Sequence, residues 1–156
     1  PSGYFNIKAK RLKNLVNFIL HEYGGSLAKM GREPLADLRK KLLTVNGIGP
    51  ETADSILLYA LHQPTFVVDA YTRRLMYRHN WATEDINYHD LQKIFMNQLT
   101  PDAKKFNEYH ALIVRLGKEM CRTHPKCAEC PLKIFNYSSS FQKFLNEHGY
   151  NSAHFR

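Results

Sequence analysis

The stretch from Leu42 to Arg74 constrains this chain most. It sets Asn46-Gly47-Ile48-Gly49-Pro50 between two amphipathic runs. Glycine adopts φ > 0 at no steric cost and lets another backbone come close. Proline suits the first position of a helix. The pattern therefore predicts two helices joined by a glycine hairpin, with Ile48 packed back between them. Such a hairpin gathers backbone N–H groups and the positive end of the second helix dipole on one convex tip. A tip of this kind can hold a phosphate without reading sequence. A bare Gly-x-Gly, taken alone, is better read as a tight helix–helix turn with no ligand, so its context has to decide.

The rest of the chain reads as helices. Ile7, Leu12, Leu15, Val16 and Ile19 keep a 3–4 spacing that predicts a first helix ended by Gly24-Gly25. A short piece follows around Leu27–Met30, and Pro34 opens a helix carrying Leu35, Leu38 and Leu42 inward. The helix from Pro50 carries Ala53, Ile56, Leu57 and Ala60. A short apolar run, Phe66-Val67-Val68, leads to Asp69, where a helix from Ala70 to about His79 is expected. Asn87 caps the next, to about Leu99, with Asp90 three residues on. Pro101 opens the last long one, with Phe106, His110, Ile113, Val114 and Gly117 on one side. A loop with three cysteines follows, then Ser138-Ser139-Ser140 and a short terminal helix, about Phe141 to Glu147. No alternating run demands a sheet, so the expected class is all-α.

Charge narrows the partners. Lys plus Arg is 22 against 14 for Asp plus Glu, a net charge of 22 − 14 = +8. That balance favours an anionic partner, nucleic acid before a membrane surface. No window approaches the ~18 consecutive apolar residues of a membrane span. Cys121, Cys127 and Cys130 form a tight, odd cluster, which suits metal or iron–sulfur ligation better than a disulfide framework and suggests a reducing compartment.

LLTVNGIGPETADSILLYA followed by FVVDAYTRRL resembles the helix–hairpin–helix, Gly/Pro-Asp superfamily of DNA glycosylases, on the endonuclease III side. The hairpin, the Thr52-Ala53 pair and the spacing to Val68-Asp69 carry the resemblance. The Gly3-Tyr4-Phe5…Lys8-Ala9-Lys10-Arg11-Leu12 opening and His110-Ala111-Leu112-Ile113…Gly117…Cys121 extend it from about Pro1 to Leu132. It implies part of a helical barrel domain, placed at 1–85, and a C-terminal helical lobe with a degenerate cysteine loop, placed at 86–156. It implies double-stranded DNA with a damaged base as partner, bound across a cleft. The damaged nucleotide is flipped out of the duplex, because its glycosidic bond is unreachable in the stack. The chain starts at Pro1, past the family's N-terminal helices, and is expected to be a C-terminal fragment. A monomer on the nucleoid of a prokaryotic cytoplasm is the expected setting.

By this resemblance Asp69 is the catalytic carboxylate. Breaking an N-glycosidic bond builds positive charge on the sugar, which an ionised carboxylate stabilises. Position alone would make Asp69 an ordinary N-cap, and the two roles are compatible. Gly47, Ile48, Gly49, Glu51, Thr52 and Arg73 are the residues implied at the DNA. Glu51 stands where bifunctional members carry a lysine that attacks the sugar, and a carboxylate cannot form a Schiff base. The expected activity is therefore monofunctional: water releases a damaged base, an alkylated purine first. The alternatives are a glycosylase for oxidised or mismatched pyrimidines, and a non-catalytic DNA-binding module. Glu51 as a solvated first-turn residue is an equal reading. Cys121-x5-Cys127-x2-Cys130 resembles the family's iron–sulfur loop, but the fourth cysteine, due near Asn136, is missing. Either His124 completes a site, for instance for zinc, or the loop is an unliganded relic. Lys8, Lys10, Arg11 and Lys13 read as a solvated helix face, and Trp81 and the tyrosines mostly as core.

Overall fold

A computed structural model describes residues 3–135 together with Tyr137, Ser139, Lys143 and Glu147. Among these residues there are helices and turns and no strand. Pro1, Ser2, Asn136, most of the serine run and of the expected helix after it, and the polar end lie outside the described residues. The chain divides into two compact units, residues 1–67 with 100–107, and residues 68–99 with 108–156.

The first unit begins with α1 (Phe5–Tyr23), which stops at Gly24. Gly24 sits at φ 62, its N–H donating to the Leu20 carbonyl and that of Gly25 to the Ile19 carbonyl, the left-handed cap that glycine supplies without strain. α2 (Leu27–Met30) is capped by the Ser26 hydroxyl, which accepts from Lys29 N at 3.2 Å. α3 (Leu35–Thr44) follows Pro34, and α4 (Pro50–Ser55) follows the glycine hairpin. The expected single helix from Pro50 to Ala60 is divided: Ile56–Ala60 continues α4 as a π-helical turn. Tyr23, Met30, Leu38, Leu42, Val45, Ile48, Ala53 and Leu57 form the core of this unit, with Leu15, Phe18 and Ile19 of α1 against it. The expected inward face of α1 is therefore only half right. Ile7, Leu12 and Val16 are exposed, because apolar residues lie on more than one side of this helix and Leu15, Phe18 and Ile19 are those that meet the core.

A buried ion pair ties α3 to α4. Arg39 Nε and Nη2 donate to the two carboxylate oxygens of Asp54 at 2.7 and 2.9 Å. Thr65 Oγ1 adds a third contact to Asp54 at 3.2 Å. Such a bidentate pair satisfies a carboxylate that has no exposure of its own. Phe66 then packs edge-on against Phe106, ring centres 5.7 Å apart.

The second unit holds α5 (Ala70–Arg78), α6 (Tyr88–Gln98) and most of α7 (Ala103–Glu119). Asn87 caps α6 as expected, and the side chain of Asp90 pairs with the side chain of Asn87. Asn87 Oδ1 accepts from Asp90 N at 2.9 Å and Asn87 Nδ2 donates to Asp90 Oδ2 at 2.6 Å. α7 begins two residues later than Pro101 suggested. Asp102 does the capping there, accepting from Lys105 N at 2.9 Å. The inward face of α7 is the expected one, with Phe106, His110 and Ile113 buried. Gly117 lets α7 come close to α5: a Cβ there would stand 2.4 Å from Tyr71 Cδ1. Arg74 secures the crossing, donating to the Gly117 carbonyl at 2.9 Å while its guanidinium lies 5.2 Å from the Tyr71 ring centre.

Candidate functional site

Gly47 has φ +96, a conformation that L side chains rarely adopt. The aliphatic stem of Arg11 lies on it, since a Cβ at Gly47 would be 2.3 Å from Arg11 Cγ. Asn14 Nδ2 donates to the Asn46 carbonyl at 2.9 Å. The hairpin is thus braced from α1, which the expectation of a solvated face at Arg11 missed. Ile48 is buried as expected, and its N–H donates back to Val45 O at 3.0 Å. Gly49 has ordinary extended backbone, and a Cβ there would meet nothing within 4 Å. It opens α4, whose first turn carries the exposed Glu51 and Thr52. The first N–H groups of a helix have no intrahelical partner.

Asp69 caps α5, as its position predicted. Its Oδ1 accepts from Thr72 N at 2.8 Å and from Thr72 Oγ1 at 2.9 Å. Its Oδ2 lies 3.5 Å from Nε2 of His110, which α7 brings across. Burial pushes the carboxyl up, but His110 and the two Thr72 donors outweigh it and hold the group below the usual carboxylate range. Asp69 is therefore ionised at neutral pH, and 13% of its side chain stays exposed. Asp54 differs: Arg39 and Thr65 occupy its oxygens and it is wholly buried. Arg73 is half-buried and donates to the Ile86 carbonyl.

The three cysteines are buried together. Arg78 Nη1 donates to Cys121 Sγ at 3.3 Å and to the Arg122 carbonyl at 2.7 Å. Burial, with Cys121 and Cys130 alongside, pushes the Cys127 thiol up to about 11. Burial also raises Cys130. The space they line with His79 and Tyr137 is a cavity of about 10 Å³, room for roughly one water. His124, the expected alternative ligand, is exposed. Among the described residues no group of three or more His, Cys, Asp or Glu is arranged to hold a metal. With only three cysteines in the chain and so tight a space between them, these residues do not fit a four-thiolate cluster. Beside them, a groove of about 890 Å³ is lined by apolar residues such as Leu75, Phe95, Leu112 and Phe135. Trp81 lines it 41% exposed, stacked on His79 with centres 4.7 Å apart, and is not the core residue expected.

The chain is similar to known proteins in sequence and in fold. The chain is 47% identical over 137 residues to the Methanocaldococcus jannaschii protein named "Putative DNA repair glycosylase MJ1434", across 86% of this chain and 62% of that one. It therefore spans less than two thirds of this relative's length. Its fold matches that of endonuclease III in a non-covalent complex with DNA, with a TM-score of 0.73 at 21% identity, over 92% of this chain and 62% of that one. It also matches the H. pylori 3-methyladenine DNA glycosylase MagIII bound to 1,N6-ethenoadenine, with a TM-score of 0.60 at 30% identity, over 75% of this chain and 58% of that one. The description "HhH-GPD superfamily base excision DNA repair protein" matches residues 1–101, which include the braced hairpin and the capping aspartate. The chain belongs to the HhH-GPD superfamily of base excision DNA repair proteins.

Proposed function

We propose that this chain carries the catalytic carboxylate and the DNA-gripping hairpin of a monofunctional DNA glycosylase. The working unit is a monomer on duplex DNA, with an alkylated purine as the first substrate class. The observation that carries this reading is the setting of Asp69: ionised, clamped on one oxygen by Thr72, and with 13% of its side chain still exposed. A fixed negative charge of that kind stabilises the cation that forms on the sugar as the base leaves. Gly47 and Gly49 supply a backbone tip for a phosphate, and Thr52 stands in the same first turn. Glu51, exposed at the place of the lyase lysine, offers no amine to attack the sugar. An anionic side chain beside a cationic alkylated base is favourable, and the match to a 3-methyladenine glycosylase supports the same class.

The test uses the intact protein on single-lesion duplexes carrying 3-methyladenine, 1,N6-ethenoadenine, thymine glycol, or thymine opposite guanine. Free base and strand cleavage are scored separately. The expected result is release of an alkylated purine, an abasic strand left uncut, and no adduct after borohydride. Asp69→Asn should lose base release by about a thousandfold or more and keep duplex binding. Retained turnover in that variant removes Asp69 from the mechanism, and a borohydride adduct removes the monofunctional reading. Release from the pyrimidine lesions alone would move the substrate class. Binding without release from any duplex would leave a DNA-binding module.

A further inference from the structure

We propose that His110 is a positioning residue for Asp69, holding the Oδ2 side of the carboxylate so that this oxygen faces the reacting sugar in a single orientation. The inference rests on Asp69 being the catalytic carboxylate.

A carboxylate oxygen offers two lone-pair directions. On Oδ1 both are taken, by the Thr72 N–H and the Thr72 hydroxyl. Oδ1 therefore has no capacity left for substrate or water, and Oδ2 is the oxygen that can act. Two donors on one oxygen fix that oxygen but leave the carboxylate plane able to pivot about it. A contact to the second oxygen sets the plane. His110 Nε2, 3.5 Å from Oδ2, is the group placed to make it. That distance is long for an N–H···O bond, as hydrogen bonds in catalytic sites commonly are before the substrate complex forms. One lone pair of Oδ2 then remains for the sugar.

The imidazole is held where it is. His110 is 7% exposed, between Phe106 and Ile113 on the buried face of α7. The α5–α7 crossing at Gly117 and Tyr71 sets how near it comes to the cap of α5. Among the described residues, the groups that hold the carboxyl in its charged form are the Thr72 N–H, the Thr72 hydroxyl and His110. A buried histidine that merely fills the core would occupy the same volume, so the test must separate filling from holding.

His110→Phe keeps the bulk and removes the donor. His110→Gln restores a donor near the position of Nε2. Both are compared with Asp69→Asn in single-turnover base release, on whichever lesion duplex above the intact protein processes. His110→Phe is expected to lose roughly tenfold or more in rate, the scale of one charge-assisted hydrogen bond, with duplex affinity unchanged. His110→Gln is expected to recover most of the loss. Carbon-13 NMR should show the Asp69 carboxyl titrating at higher pH in His110→Phe and returning in His110→Gln. In the unmutated protein the His110 ring signals should move as Asp69 titrates, a readout that stands if the Phe variant fails to fold. A fast His110→Phe beside an inactive Asp69→Asn overturns the positioning role alone. Ring signals blind to Asp69 overturn it too. An active Asp69→Asn overturns it together with the reading beneath it.

Discussion

At the residue scale the two hairpin glycines are not equivalent. Gly47 needs its positive φ, and Arg11 stands where a side chain would go. Gly47→Ala is expected to cost about 1–3 kcal/mol, from backbone strain and from the displaced Arg11 stem. Gly49 faces open space with an ordinary φ. Gly49→Ala is expected to stay within about 0.5 kcal/mol of the parent in stability while weakening duplex binding, because its Cβ blocks close backbone approach. Thermal unfolding and fluorescence anisotropy check the pair: equal melting losses would mean that the glycines share one structural job. The hairpin and the capping role of Asp69 were legible in the sequence, because turn and cap preferences act within a few residues. Arg11 was not. A basic residue on a helix shows the same spacing whether its stem lies on a neighbour or in water.

At the element scale the α5–α7 crossing matters most. A Cβ at Gly117 would lie 2.4 Å from Tyr71 Cδ1 and 2.8 Å from its Cβ. Neither atom is the loose end of a side chain, so Gly117→Ala must shift one helix against the other. We expect a loss of about 1–3 kcal/mol, typical of overpacking. Base release should fall further than stability explains, because α7 carries His110 and α5 starts at Asp69. Single-turnover rates measured well below the melting point check this; a rate equal to the parent's would show that the crossing can slide without disturbing the carboxylate. The buried face of α7 was readable from its 3–4 spacing. The buried side of α1 was not, because apolar residues on several sides give no single stripe. The π-helical turn at Ile56–Ala60 also left no trace in periodicity.

At the scale of the whole molecule the net charge of +8 should show in the salt dependence of DNA binding. Each phosphate neutralised by a basic side chain adds roughly 0.9 to the slope of log affinity against log salt. Contacts from backbone N–H groups neutralise none. Gly49→Ala should therefore lower affinity at every salt concentration without changing the slope. Lys126→Gln, in the exposed part of the cysteine loop, should lower the slope by about 0.9. Anisotropy titrations over a series of potassium chloride concentrations measure both, and an unchanged slope for Lys126→Gln would take that loop off the phosphate backbone.

The sequence by itself determined the helices, most of their ends, the glycine hairpin and an aspartate at the head of α5. These follow from steric and hydrogen-bonding preferences between residues three or four apart. Only the tertiary structure decided that His110 meets Asp69, that Arg11 braces Gly47, and that the three cysteines are buried together. Those meetings join residues far apart in the chain. They depend on how closely helices pack and cross, which no local pattern encodes.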